Sequence, residues 1–147
     1  KNLEAFLSLD LPGTKVVVGD GPQRAELERR FPEAVFLGVK TGEDLAATYA
    51  AADVFVFSSR TDTYGNVMQE AMASGVPVAA FPVPGPLDVV TDPAVGVLDE
   101  DLAAAIGKAL ALDRRACRMV AESRTWEAAA RQFAAALAPF GAAARAA

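Results

Sequence analysis

Apolar positions along the chain follow two alternating rhythms: short β-branched or aromatic runs, and stretches with helical spacing. The first residues, KNLEAFLSL, already read as helix, because Leu3, Phe6 and Leu7 recur at i, i+3 and i+4. The sequence is therefore expected to begin inside a structural element, with something upstream absent. The run KVVV ending at Val18 predicts a strand; GDGP after it offers Gly21 as N-cap and Pro22 at the first position of a helix through QRAELERRF. AVFLG is the next strand. TGEDLAATYAAAD opens with Thr41 three residues before Asp44, a capping-box pattern, and places Leu45 and Tyr49 on one face. VFVFSS, from Val54, is apolar without alternation, which predicts a strand covered on both faces. The next helix closes at Gly75, with Pro77 just beyond it. VPVAAF and VGVL are further strands, separated by a short helix or turn at PGPLDVV. From Asp101 the chain reads as helix, and Trp126, Ala130, Phe133, Leu137 and Phe140 line one face of the last one as packing residues. The Ala-rich tail GAAARAA is expected to fray. Strands separated by helices predict a parallel sheet with helices on both faces, a doubly wound α/β domain.

Composition narrows the chemistry. The 147 residues are 52% hydrophobic, enough for one well-buried domain and too few for two. A net charge of −5 speaks against a nucleic-acid partner or an anionic membrane surface built from this chain. There is no histidine, which removes imidazole bases, Ser-His-Asp triads and His-ligated zinc from within the chain. Cys117 is the single cysteine and reads as a buried structural thiol in a reducing compartment. With no apolar run long enough to span a membrane and no leader pattern, the expected location is the cytoplasm. Asp99, Glu100 and Asp101 precede a helix and read as caps rather than metal ligands. Lys108, Arg114, Arg115 and Arg118 read as a solvated helix face.

Candidate chemistry gathers in TDTYGNVMQE, the corner between VFVFSS and the next helix. In doubly wound sheets, ligands bind outside the carboxyl ends of the strands. Gly65 lets the backbone approach a ligand, and Asn66 followed by Gln69 resembles a capping box that starts the helix near Val67. Free amides at Gly65, Asn66 and Val67, with the helix dipole, suit a phosphate. Glu70, about a turn inside, suits the two hydroxyls of a ribose, and Asp62, on the other side of the phosphate, suits hydroxyls of what the phosphate carries. Ribose, phosphate and a polyhydroxylated group in one row describe a nucleotide sugar.

Asp62, Glu70 and the adjoining AMASGVPV resemble the signature of retaining glycosyltransferase family 4, the group 1 glycosyl transferases. The resemblance extends over Lys1-Asn2-Leu3, VVVGDGP, FLG, LAATYAAADVFVFSS and TWEAAARQF, in order. It implies the carboxyl-terminal half of a GT-B fold: residues 1–147 as a Rossmann-like donor-binding domain, truncated at its start, with the amino-terminal acceptor domain absent. It further implies transfer with retention from a UDP-sugar or GDP-sugar donor, without metal or other cofactor, to a lipid or saccharide acceptor. The enzyme would be peripheral at the membrane through the missing domain, and this chain alone inactive. Lys1 resembles the lysine that binds the donor diphosphate. The amides of Gly65, Asn66 and Val67 would hold a phosphate, Glu70 the ribose and Asp62 the donor sugar. Gly38 and Val39 resemble the region that meets the nucleobase. Two departures stand out: Asp62 replaces the usual glutamate, and VPGPLDVV replaces a Gly-Gly-x-x-Glu turn, so Asp88 either substitutes for that glutamate or caps a short helix. The alternatives are another GT-B enzyme, such as a nucleotide-sugar epimerase or a phosphorylase, and a non-catalytic nucleotide-binding or interaction domain.

Overall fold

A computed structural model describes residues 1–137. Phe140 and the Ala-rich tail lie outside them. The elements run α1 (Leu3–Leu7), β1 (Val16–Val18), α2 (Arg24–Arg30), β2 (Val35–Gly38), α3 (Gly42–Ala51), β3 (Phe55–Phe57), α4 (Asn66–Ala73), β4 (Val78–Ala80), α5 (Pro86–Val89), β5 (Gly96–Leu98), α6 (Leu102–Ala109), α7 (Arg114–Glu122) and α8 (Trp126–Ala136). All strand pairs are parallel, as helical crossovers require. The hydrogen-bonded ladders form two pieces, β1-β2 and β3-β4-β5.

The core is built on both faces of β4, whose three residues are fully buried. Val78 and Ala80 point into one cluster with Phe57, Met68, Met72, Val89, Val95 and Cys117. Ala79 and Phe81 point into the other, with Leu102, Ala105 and Ile106 of α6, against which Phe6 of α1 also packs. A strand with period-two side chains and a helix on each side must be apolar at every position, which is why VPVAAF shows no alternation. β3 behaves likewise, with Phe55 and Phe57 on the first side and Val54 and Val56 on the second. The outer pair is less covered: Val16, Val18, Val35 and Leu37 keep about two-fifths of their surface in water.

The helix ends follow local chemistry. α4 closes in a Schellman turn: Val76 N–H donates to Ala71 O, Gly75 N–H to Met72 O, and Gly75 takes φ 71°. Asp101 caps α6, accepting from the amides of Ala103 and Ala104. Asp99 pairs with Lys108 at 2.9 Å. Cys117 is buried, and burial pushes its thiol up to about 11, as expected of an inert structural cysteine. No helix among the described residues is long and apolar enough to cross a membrane.

Several local expectations need correction. α2 starts at Arg24, with Gln23 rather than Gly21 as its N-cap, because Gly21 O first accepts from Arg24 N–H in a tight turn. Thr41 does precede α3, but its side chain makes no cap bond. Asn66 is the first helical residue of α4 and caps nothing; Gly65, at φ 76°, turns the chain into the helix one residue early. Gln69 Nε2 instead donates to the Tyr64 hydroxyl at 2.6 Å. Arg114 is not merely solvated: it donates to Gly75 O at 3.0 Å and Ala50 O at 2.9 Å, tying α7 to the ends of α4 and α3. Trp126 does not pack. It is 90% exposed, and Phe133 and Leu137 are mostly exposed too, because no described element lies against that face of α8.

Candidate functional site

The apolar strand β3 ends in two buried serines, and these anchor the neighbouring segments. Ser58 Oγ donates to Lys1 O at 3.0 Å, and Asn2 Nδ2 donates to Ser58 O at 3.1 Å. Asn2 holds φ 56°, the one positive φ outside glycine among the described residues, a region that asparagine tolerates better than most side chains. These bonds fasten the start of α1 to the carboxyl end of β3. Lys1 is thereby delivered to the loop that carries Asp62, and its ammonium donates to both carboxylate oxygens, at 2.6 and 2.8 Å. Residues 61 positions apart in sequence thus form one ion pair. Arg60, beside them, stacks 3.7 Å over the Phe81 ring and pairs with Glu100.

The hydrogen bonds from Lys1 hold the Asp62 carboxyl below the usual carboxylate range; partial burial opposes them and the Ser59 hydroxyl adds to them. A carboxylate with a depressed pKa contributes stability above its unfolded pKa, and the contribution is lost as pH falls through the folded one. Lys1→Ala is therefore expected to move the Asp62 titration upward, toward ordinary aspartate. Carbon-detected NMR of the side-chain carboxyl measures this, and an unchanged midpoint would mean the pair is not formed in solution.

The Gly65 corner is set by close packing. A Cβ on Gly65 would lie 2.8 Å from Met68 Cε, the flexible end of that side chain, and 3.1 Å from Phe57 Cζ, while φ 76° is a conformation that favours glycine whatever the space. The amides of Gly65, Asn66 and Val67 meet no protein acceptor among the described residues. They form the exposed, positive end of α4. Glu70 comes one turn later, and the Tyr49 hydroxyl of α3 donates to its Oε2 at 3.1 Å. Burial first, and then the neighbouring Glu70 carboxylate, push the Tyr49 phenol up, so it stays protonated.

Not every candidate joins this group. Gly38 and Val39 stand at the end of β2, in the other sheet piece, with Gly38 buried at φ 69° and Val39 mostly exposed. Asp88 is exposed in α5 and makes no cap bond, so the capping alternative fails; Gly85 holds the cap position. A cleft of about 340 Å³ lies between α1 and α2, lined in part by Lys1, Asn2, Glu4 and Arg30; Asp62, Gly65 and Glu70 do not line it. Three contributors escaped sequence reasoning. In sequence Tyr49 stands only on a helix face, and Gly85 and Ser58 enter only within the segments PGPLDVV and VFVFSS.

These features define a doubly wound α/β domain with Lys1, Asp62, the Gly65 corner and Glu70 carried on or tied to the segment that follows the carboxyl end of β3, the side on which such sheets bind ligands. Residues 6–112 match the family model described as Glycosyl transferases group 1. The chain belongs to that family. It is 43% identical over 118 residues to a GDP-mannose-dependent alpha-mannosyltransferase of Mycolicibacterium smegmatis, covering 80% of this chain and 30% of that protein. It is 48% identical over 83 residues to a protein of the same description in Mycobacterium tuberculosis, covering 56% and 22%. The chain thus spans less than a third of the length of these relatives. Anabaena HepE, solved in complex with UDP, shares the fold with a TM-score of 0.67 at 21% identity, over 90% of this chain and 42% of that one. The expected Rossmann-like α/β fold, seen in glycosyltransferases of the GT-B type, is the fold observed.

Proposed function

We propose that this chain is the donor-binding domain of a retaining glycosyltransferase, acting with a second, acceptor-binding domain to move a sugar from a nucleoside diphosphate sugar to an acceptor. The observation that carries this reading is the Lys1–Asp62 ion pair, borne by the same loop that leads into the Gly65–Val67 amides, which are unpartnered among the described residues. The amides and the α4 dipole hold a phosphate of the donor. Lys1 exchanges its bond to Asp62 for the diphosphate and offsets the charge that develops as the sugar leaves. Asp62, released, accepts from hydroxyls of the donor sugar, while Glu70 accepts from the ribose. Gly38 and Val39 meet the base, largely through backbone atoms. The positive charge needed for departure comes from lysine and backbone, so the reading requires no metal ion. The acceptor, a lipid or a saccharide, attacks from the face the diphosphate leaves.

The relatives that are 43% and 48% identical make GDP-mannose the first donor to test. The test is transfer: the protein carrying this domain, given GDP-mannose and a panel of lipid and saccharide acceptors, is expected to form an α-linked product. NMR coupling at the new anomeric centre reads the outcome. A β-linked product would overturn retention, and failure with every nucleotide sugar would overturn the reading itself.

A further inference from the structure

The Tyr49 hydroxyl meets Glu70 across two helices, from 21 residues earlier in sequence. Its ring is half-buried and sits edge-on against Phe55, with centroids 5.7 Å apart. Phe55 in turn lies 6.5 Å from Phe57, the ring on which Gly65 rests. One aromatic row thus connects the partner of Glu70 to the glycine corner. Glu70 itself is exposed and carries three rotatable bonds, so without a partner its carboxylate would sample several rotamers. We propose that Tyr49 is a positioning residue: its hydroxyl fixes the Glu70 carboxylate at a set distance from the Gly65 corner, in the orientation that reads the two hydroxyls of a ribose.

The inference rests on the assignment of Glu70 to the ribose. The geometry leaves acceptor capacity for that role. Tyr49 occupies Oε2, no described side chain donates to Oε1, and each carboxylate oxygen has two acceptor sites. The phenol remains a donor through the neutral range, since burial and the adjacent carboxylate both disfavour its ionisation. Preorganisation of this kind improves affinity by removing an ordering cost from the binding step, without adding a contact to the ligand.

The test compares GDP with its dideoxy analogue, which lacks both ribose hydroxyls, on the parent chain, Tyr49→Phe, Glu70→Ala and the double variant by calorimetry. Tyr49→Phe keeps the ring against Phe55, and thermal unfolding confirms that it folds as the parent does. The parent is expected to prefer GDP, and Tyr49→Phe to lose about three- to tenfold of that preference while binding the dideoxy analogue as before. In the Glu70→Ala background the same change is expected to do nothing, since the pair acts as one unit. An undiminished preference in Tyr49→Phe would overturn the positioning role and leave the Glu70 assignment standing. Equal weakening toward both nucleotides would reduce Tyr49 to a packing residue. A parent that does not distinguish the two, or binds neither, would remove the Glu70 assignment and this inference with it.

Discussion

Glu70→Ala is expected to weaken GDP binding by about ten- to a hundredfold, the largest loss of affinity that any single side chain here should produce. Hydrogen bonds to a charged group are worth about 1.5–3 kcal/mol, and each 1.4 kcal/mol is roughly tenfold in affinity. The carboxylate stands exposed on α4, with the Tyr49 hydroxyl its only side-chain partner among the described residues, so the fold has little invested in it. Surface substitutions of this kind stay within about 0.5 kcal/mol of the parent, which keeps Tm within roughly 2 °C. The loss should also depend on the ligand. A dideoxy nucleotide, offering Glu70 nothing, should bind parent and variant alike. Calorimetry with both nucleotides, beside a thermal scan, measures this. A variant that binds GDP as tightly as the parent would take the ribose away from Glu70.

Gly85→Ala is expected to have the largest combined effect on stability and site geometry. Gly85 is buried at φ 92° and ψ −75°, where a side chain is strained whatever space surrounds it. An added Cβ would fall 2.7 Å from Asp62 O and 3.4 Å from Thr63 backbone atoms, so the neighbour that must yield is the main chain carrying Asp62. Backbone strain of this kind costs about 1–3 kcal/mol, a fall in Tm of roughly 3–10 °C for a domain of this size. The displaced loop should also draw Asp62 away from Lys1 and weaken their ion pair. Gly13→Ala is the matching control: Gly13 has φ 96°, and a Cβ there meets nothing within 4 Å. The control should carry the conformational strain alone. Thermal unfolding of both variants separates strain from contact, and equal Tm values would mean that Gly85 does not press on the Asp62 loop.

Legibility from sequence depends on the range of the interactions. β3 and β4 are readable because a strand covered on both faces has to be apolar at every position, and the Schellman turn at Gly75 because Gly with a Pro close behind it is local chemistry. The Gly65 corner is readable for the same reason. Its cap is misplaced by sequence because a left-handed glycine can replace an Asn-x-x-Gln box, and only the backbone angles distinguish the two. Trp126 misleads because helical spacing predicts a face without saying whether anything covers it. The division of the sheet into two ladders, the pressure of Gly85 on Asp62 and the Tyr49–Glu70 bond all depend on distant segments meeting. Lys1 joins the site in sequence by resemblance alone, and its ion pair with Asp62 is a contact no local pattern contains.

Backbone amide NMR of the 147-residue chain titrated with GDP-mannose tests the donor site most directly. The amides of Gly65, Asn66 and Val67 are expected to shift together, with Asp62 and Glu70 moving at the same ligand concentration and the exposed Trp126 indole unmoved. Saturating shifts elsewhere on the chain, with the Gly65–Val67 amides still at millimolar ligand, would contradict the assignment of this corner to the donor.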